Sequence, residues 1–299
     1  MSPTDRRAVL RNALSGLLLA AAPLLTFSAA QAQSQKVSVF YAGSLVNLME
    51  RSVGPAFTKA SGIDFEGYAG GSNKLANEIK GKLRRGDIFI SASPKVNSTL
   101  MGDTNGNWVT WYASFAESPL VIGYNPKSTF ADALKTKRWD DVLSTPGIRI
   151  GRTDPKLDPK GLFTVNFVQH AARVYDKPDL LKETLGSEEN PAQVLPEETL
   201  VGRLQSGQLD AGFFYSTETS DLNIPFVTLP AELKEKAQYT VTILNHAPNA
   251  KGAQRFVSWL LSPAGQALLK EHGIDIVAPT ISGDAASVPA ALRTQLAPQ

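Results

Sequence analysis

Ser44 and Ser72 each close a run of small residues, Ala42-Gly43-Ser44 and Gly70-Gly71-Ser72, where a β-type run gives way to a helical pattern. Backbone N–H groups at a helix start carry partial positive charge and attract anions. A serine hydroxyl adds one donor, and glycine lets backbone come close to a ligand. Such turns are suited to anion binding; the plainer role of each serine is an N-cap, worth about 1 kcal/mol. Asp158-Pro159 and Pro196-Glu197-Glu198 place carboxylates in first helical turns, with proline at its favoured position. Read alone, both fit helix capping. Tyr215 ends the run Ala211-Gly212-Phe213-Phe214-Tyr215; its hydroxyl could reach a cleft, or the ring could simply pack in a core.

The elements that must position these residues alternate along the chain. Lys36 to Tyr41, Ile63 to Tyr68 and Ile88 to Ser91 read as strands, separated by helical patterns over Ser44 to Ala60 and Ser72 to Lys82. Two extended runs meet at Ser118-Pro119 within Tyr112 to Tyr124, and a second series follows. It comprises a strand at Ile148 to Arg152, helices at Pro159 to Val174 and Pro196 to Ser206, and a strand at Ala211 to Tyr215. Tyr239 to Leu244 is a further extended run, ahead of helices at Lys251 to Leu261 and Pro263 to His272 and a polar tail rich in Pro and Ala. Strands alternating with helices predict mainly parallel sheets covered on both faces. The order predicts two α/β lobes: residues 33–116 and 241–299 in the first, 117–240 in the second, joined by two extended crossings. Ligands of such sheets bind beyond the C-terminal strand ends, and facing lobes close by a hinge.

Composition narrows the function. Arg6, Arg7 and Arg11, an apolar core from Leu17 to Leu25, and Ala30-Gln31-Ala32 predict an export signal over residues 1–32, by the general secretory or the twin-arginine route. Those residues carry all of the chain's formal +2, so the remainder is neutral. Without a bulk positive field, nucleic acid and anionic membranes are poor partners, and an anion must be held by local dipoles. The absence of cysteine excludes disulfides, thiolate metal sites, cysteine nucleophiles and a lipid anchor through cysteine. His170, His246 and His272 stand apart, with no metal-ligand spacing between them. No nucleophile elbow, phosphate loop or dinucleotide fingerprint occurs.

Several segments together, VFYAGSL, GGSNKLANEI followed by GDIFISAS, and LLSPAGQALLKEHGI, resemble periplasmic receptors for tetrahedral oxyanions. The likeness is greatest to the molybdate/tungstate-binding proteins of ABC importers, in the branch first associated with tungstate, and covers nearly all of the chain after residue 32. It implies the type II periplasmic-binding fold, no enzymatic activity, no cofactor, a periplasmic location, a monomer, and a membrane permease as partner. The family's binding positions fall on Ser44, Ser72, Asp158, Glu197 and Tyr215. Asp158 and Glu197 would ligate the Mo or W centre itself, raising it from tetrahedral toward octahedral coordination. Glu198, next to Glu197, is the alternative register. Leu162 stands where an aromatic is more familiar, and Ser216 to Asp221 is acidic where the family is more often basic. Other readings of the same scaffold are a sulfate-type receptor, a ferric-ion receptor using tyrosines, and a transferase.

Overall fold

The computed structural model describes residues 36–296; the export signal read at 1–32 lies outside them. Nine strands are described. β1 (Lys36–Ala42) lies between β2 (Asp64–Gly70) and β3 (Ile88–Ser91), all parallel. β4 (Trp111–Tyr124) is the long strand, and β5 (Ile150–Gly151) and β6 (Ala211–Tyr215) pair in parallel beyond it. β7 (Phe226–Thr228), β8 (Lys236–Ile243) and β9 (Asp275–Gly283) complete the set, in the order β2-β1-β3-β8-β4-β6-β5 with β7 and β9 also on β4. β4 belongs to two sheets: its first half pairs with β8 and β9, its second with β6 and β7. The first sheet therefore contains β1–β3 and the second β5–β7, giving the expected two-lobed α/β fold, but with mixed rather than mainly parallel sheets, because β8 and the long β4 pair antiparallel with their neighbours.

Burial explains the strands. All four residues of β3 and all five of β6 are buried, as in parallel or central strands covered on both faces. Of the two extended runs expected to cross between lobes, the one at Ser118-Pro119 is β4, which serves both sheets, and the one at Tyr239 is β8, which pairs with β3 and β4 in the first sheet. They run antiparallel from Ala113↔Val241 to Pro119↔Lys236, with an irregularity between Ser114 and Ala116.

The sequence reading misses structure at the C-terminus. The expected polar tail contains β9, which lies along β4, and a helix, Ala290–Leu296, whose Leu292 and Leu296 are buried. Pro279 hid the strand: a proline inside a run argues against a ladder. Here it falls between the pairs Ser114↔Thr280 and Ala116↔Ile276, where the register shifts and no ladder bond is required. The expected helix at 196–206 is a tight turn, Glu197–Thr199, followed by Leu200–Gln205. The strand expected over 148–152 is shortened to β5.

Candidate functional site

β1 and β2 pair in register, Ala42 opposite Gly70, so Ser44 and Ser72 each lie two residues past one paired rung. Neither hydroxyl caps its helix. Ala42 and Gly71 occupy the cap positions, with no side-chain cap bond. Ser72 is fully buried and its Oγ accepts from the Ala92 amide at 3.1 Å, at the end of β3. Ser44 Oγ lies 3.0 Å from the Tyr239 hydroxyl on β8. The plain capping role is thus set aside for both serines.

Asp158 does cap its helix, and does more. Its Oδ1 accepts from Lys160 N at 2.9 Å and from Thr153 Oγ1 at 2.9 Å, at the start of the helix Pro159–Val174. Its Oδ2 accepts from Ser72 N at 3.3 Å, across from the first sheet to the second. The same strip is laced further, by Lys74 N to Leu157 O at 3.0 Å and by Asn73 Nδ2 to Lys156 O at 3.1 Å. The helix start at Ser72, expected to face an anion with its amides, gives those of Ser72 and Lys74 to Asp158 and Leu157.

Glu197 is buried while Glu198 is exposed, so burial separates the two registers. Glu197 packs on Gly43: a methyl at that glycine would sit 2.2 Å from Glu197 Cγ. Its Oε1 accepts from Lys160 Nζ at 2.9 Å, while Oε2 has no partner. Tyr215 is buried, its hydroxyl also without a partner. Its ring meets that of Tyr239 edge-on, centroids 6.3 Å apart. Tyr239 brings a second phenol to the site, which Tyr215's position in the sequence gave no sign of.

Lys160 and Glu218 were also missed by sequence reasoning. Lys160 is fully buried and its Nζ lies 3.0 and 2.8 Å from the two Glu218 oxygens. Glu218 Oε2 accepts from Tyr215 N at 2.8 Å. A glutamate three residues past a strand end, in the first turn of Ser216–Asp221, is the available signal. Nothing in the sequence marks the lysine, since lysines are almost never fully buried unless paired.

Burial pushes the Asp158, Glu197 and Glu218 carboxyls above their ordinary range, against the pull of Lys160. Burial also pushes Tyr215 well up, with Asp158 adding to it. Burial would lower Lys160, but Glu197 and Glu218 together raise it. A single ammonium stands among three carboxyls, so the site is electron-rich. It suits an electron-poor centre better than a bare anion's oxygens.

Two cavities flank Glu197. One, of about 210 Å³, is lined by Gly43, Ser44, Thr217 and Glu218 among others; the second, of about 270 Å³, by Gly71, Thr153 and Asp158. Both are smaller than the roughly 300–1,000 Å³ of drug-sized pockets, and neither is lined by Ser72 or Tyr215. Among the described residues no cluster of three or more His, Cys, Asp or Glu is arranged to hold a metal ion. No described helix is long and apolar enough to cross a membrane.

The chain is 28% identical over 270 residues to an uncharacterized solute-binding protein of Petrotoga mobilis, covering 80% of this chain and 83% of that one. It is 26% identical over 302 residues to the molybdate/tungstate-binding protein WtpA of Pyrococcus abyssi, covering 84% and 87%. Among solved structures, the periplasmic molybdate-binding protein of Azotobacter vinelandii superposes with a TM-score of 0.61 at 19% identity, over 80% of this chain and 98% of that one. The pattern of bacterial extracellular solute-binding proteins matches residues 37–275, and the chain belongs to that family.

Proposed function

We propose that the protein is the substrate-binding receptor of an ABC importer, capturing molybdate or tungstate between its two lobes and delivering it to the membrane permease. The observation that carries this is the meeting of Ser44, Ser72, Asp158, Glu197 and Tyr215 at one junction, where Glu197 Oε2 and the Tyr215 hydroxyl are buried without partners. A buried polar atom left unpaired costs about 1–3 kcal/mol, a cost a bound ligand removes. Relatives named for molybdate and tungstate binding support the choice of cargo.

The chemistry follows from the donor set. Carboxylates repel the oxygens of a dianion, yet Asp158 and Glu197 are oxygen donors to a high-valent Mo or W centre able to expand its coordination. Sulfate and phosphate offer no such centre, so the site rejects them by bonding rather than by size. Ser44 and the phenols of Tyr215 and Tyr239 then face the oxo groups as donors. No bond of the cargo is cleaved and no cofactor takes part. The exported, periplasmic location and a monomeric state belong to the same proposal. So do lobe boundaries near residues 116/117 and 240/241, which fall inside β4 and β8.

Titration calorimetry with molybdate, tungstate, sulfate, phosphate and ferric ion tests it. Saturable heat is expected for the first two alone. Heat for sulfate alone refutes the cargo, and heat for ferric ion alone turns the Tyr215–Tyr239 pair into an iron site.

A further inference from the structure

We propose that Lys160 and Glu218 form a positioning pair that presents Glu197 to the cargo through a single oxygen. This rests on the reading of Glu197 as a donor to the metal centre.

The geometry is specific. An ammonium has three hydrogens, and Lys160 Nζ has three acceptors: Glu197 Oε1 at 2.9 Å and the Glu218 oxygens at 3.0 and 2.8 Å. Lys160 therefore has nothing left to offer an oxo group, despite being the one ammonium in the cluster. Its work is on Glu197, holding Oε1 and leaving Oε2 as the free oxygen. Gly43 presses on the Glu197 side chain from the first sheet, at a distance no methyl group would permit. Pinned at one oxygen and along its stem, Glu197 keeps one orientation.

Glu218 anchors this arrangement. With both oxygens on the ammonium, it also accepts the Tyr215 amide at 2.8 Å. The end of β6, and with it the unpartnered Tyr215 hydroxyl, is therefore tied to the group that fixes Glu197. A carboxylate free to swing could offer both oxygens or neither. The pair makes it a monodentate donor.

The test uses Lys160→Met, Lys160→Arg and Glu218→Gln with molybdate as the probe, read by calorimetry and by X-ray absorption at the Mo edge. Supporting groups around metal ligands contribute about 10–100-fold to affinity. A loss in that range is expected for Lys160→Met, together with a return of the bound Mo to four-coordinate geometry. Lys160→Arg keeps the charge and the donors, and is expected to retain the expanded coordination with a smaller loss. Glu218→Gln still accepts one bond from the ammonium, and is expected to fold and to show an intermediate affinity. It carries the test if Lys160→Met fails to fold, and wild-type affinity in Glu218→Gln would then overturn the pair. Lys160→Met with wild-type affinity and wild-type coordination overturns the pair while leaving the cargo intact. Tetrahedral Mo in the wild-type protein, or no binding at all, instead sinks the donor reading of Glu197 and the pair with it.

Discussion

The site's distinctive residue is a glutamate with one oxygen held and one free. Glu197 and Glu198 are chemically alike and adjacent, yet only Glu197 is buried against Gly43 and Lys160. Glu197→Gln keeps the size and loses the anionic donor, so its affinity for molybdate should fall by at least about 10-fold, in line with the loss of one charge-assisted bond of roughly 1.5–3 kcal/mol. Glu198→Gln, exposed to solvent, should bind as the wild type does. Calorimetry on the two variants side by side decides the register, and equal losses would remove the special role of Glu197. The serine turns and the first-turn acid at Asp158 were legible as helix starts, because small-residue turns and first-turn acids leave marks in sequence; their grouping with Tyr215 as one site came from the family resemblance. Lys160 was not legible, because its role exists only once Glu197 and Glu218 arrive from segments 37 and 58 residues away.

Elements are fixed in place by a few shared anchors, of which Asp210 is the clearest away from the site. It directly precedes β6 and gathers Arg149, ahead of β5, through the backbone N, Nε and Nη2 at 2.9, 2.9 and 2.8 Å, and Ser128 Oγ at 2.8 Å. The hydrogen bonds from Arg149 hold its carboxyl below the ordinary range, against the effect of burial. A depressed folded-state value stabilises the fold above the unfolded-state pKa, near 3.9 for Asp, and the contribution is lost as pH falls through the folded value. Asp210→Asn should therefore lower stability by about 2 kcal/mol at pH 7, a figure kept modest because Arg149 is half-exposed. Chemical denaturation at pH 7 and in stronger acid reads the effect; the gap from wild type should close on acidification, and a gap unchanged with pH would rule out the carboxylate's charge as its source. At this scale β1, β3, β6 and the helix Pro159–Val174 were readable from apolar runs and from an Asp-Pro start. β9 was not, since it depends on β4 for its partner and holds a proline at the register shift.

Across the whole molecule, the two sheets meet where residues 71–74 bond the 156–158 loop, and under the proposed function closure of that seam completes the site. β4 is the strand shared by the two sheets, and β8 stays paired with it through Pro119↔Lys236; under the proposed function a hinge there would move the sheets without breaking either. The seam itself is tight at Gly71. This glycine has a φ of −56°, so alanine strains no backbone there, yet a Cβ would lie 2.5 Å from Leu157 O. That carbonyl already accepts Lys74 N at 3.0 Å and cannot retreat without giving up the bond. Gly71→Ala should leave each sheet's packing alone and obstruct only their approach. Apparent affinity falls in proportion to the fraction of molecules able to close, so a methyl costing about 1.4–2.8 kcal/mol in the closed form weakens molybdate binding by about 10–100-fold. Small-angle scattering should show the wild type contracting on addition of molybdate and Gly71→Ala contracting less at equal ligand, while thermal unfolding without ligand stays close to wild type. Full contraction with wild-type affinity in the variant would mean that the Gly71–Leu157 seam does not limit closure.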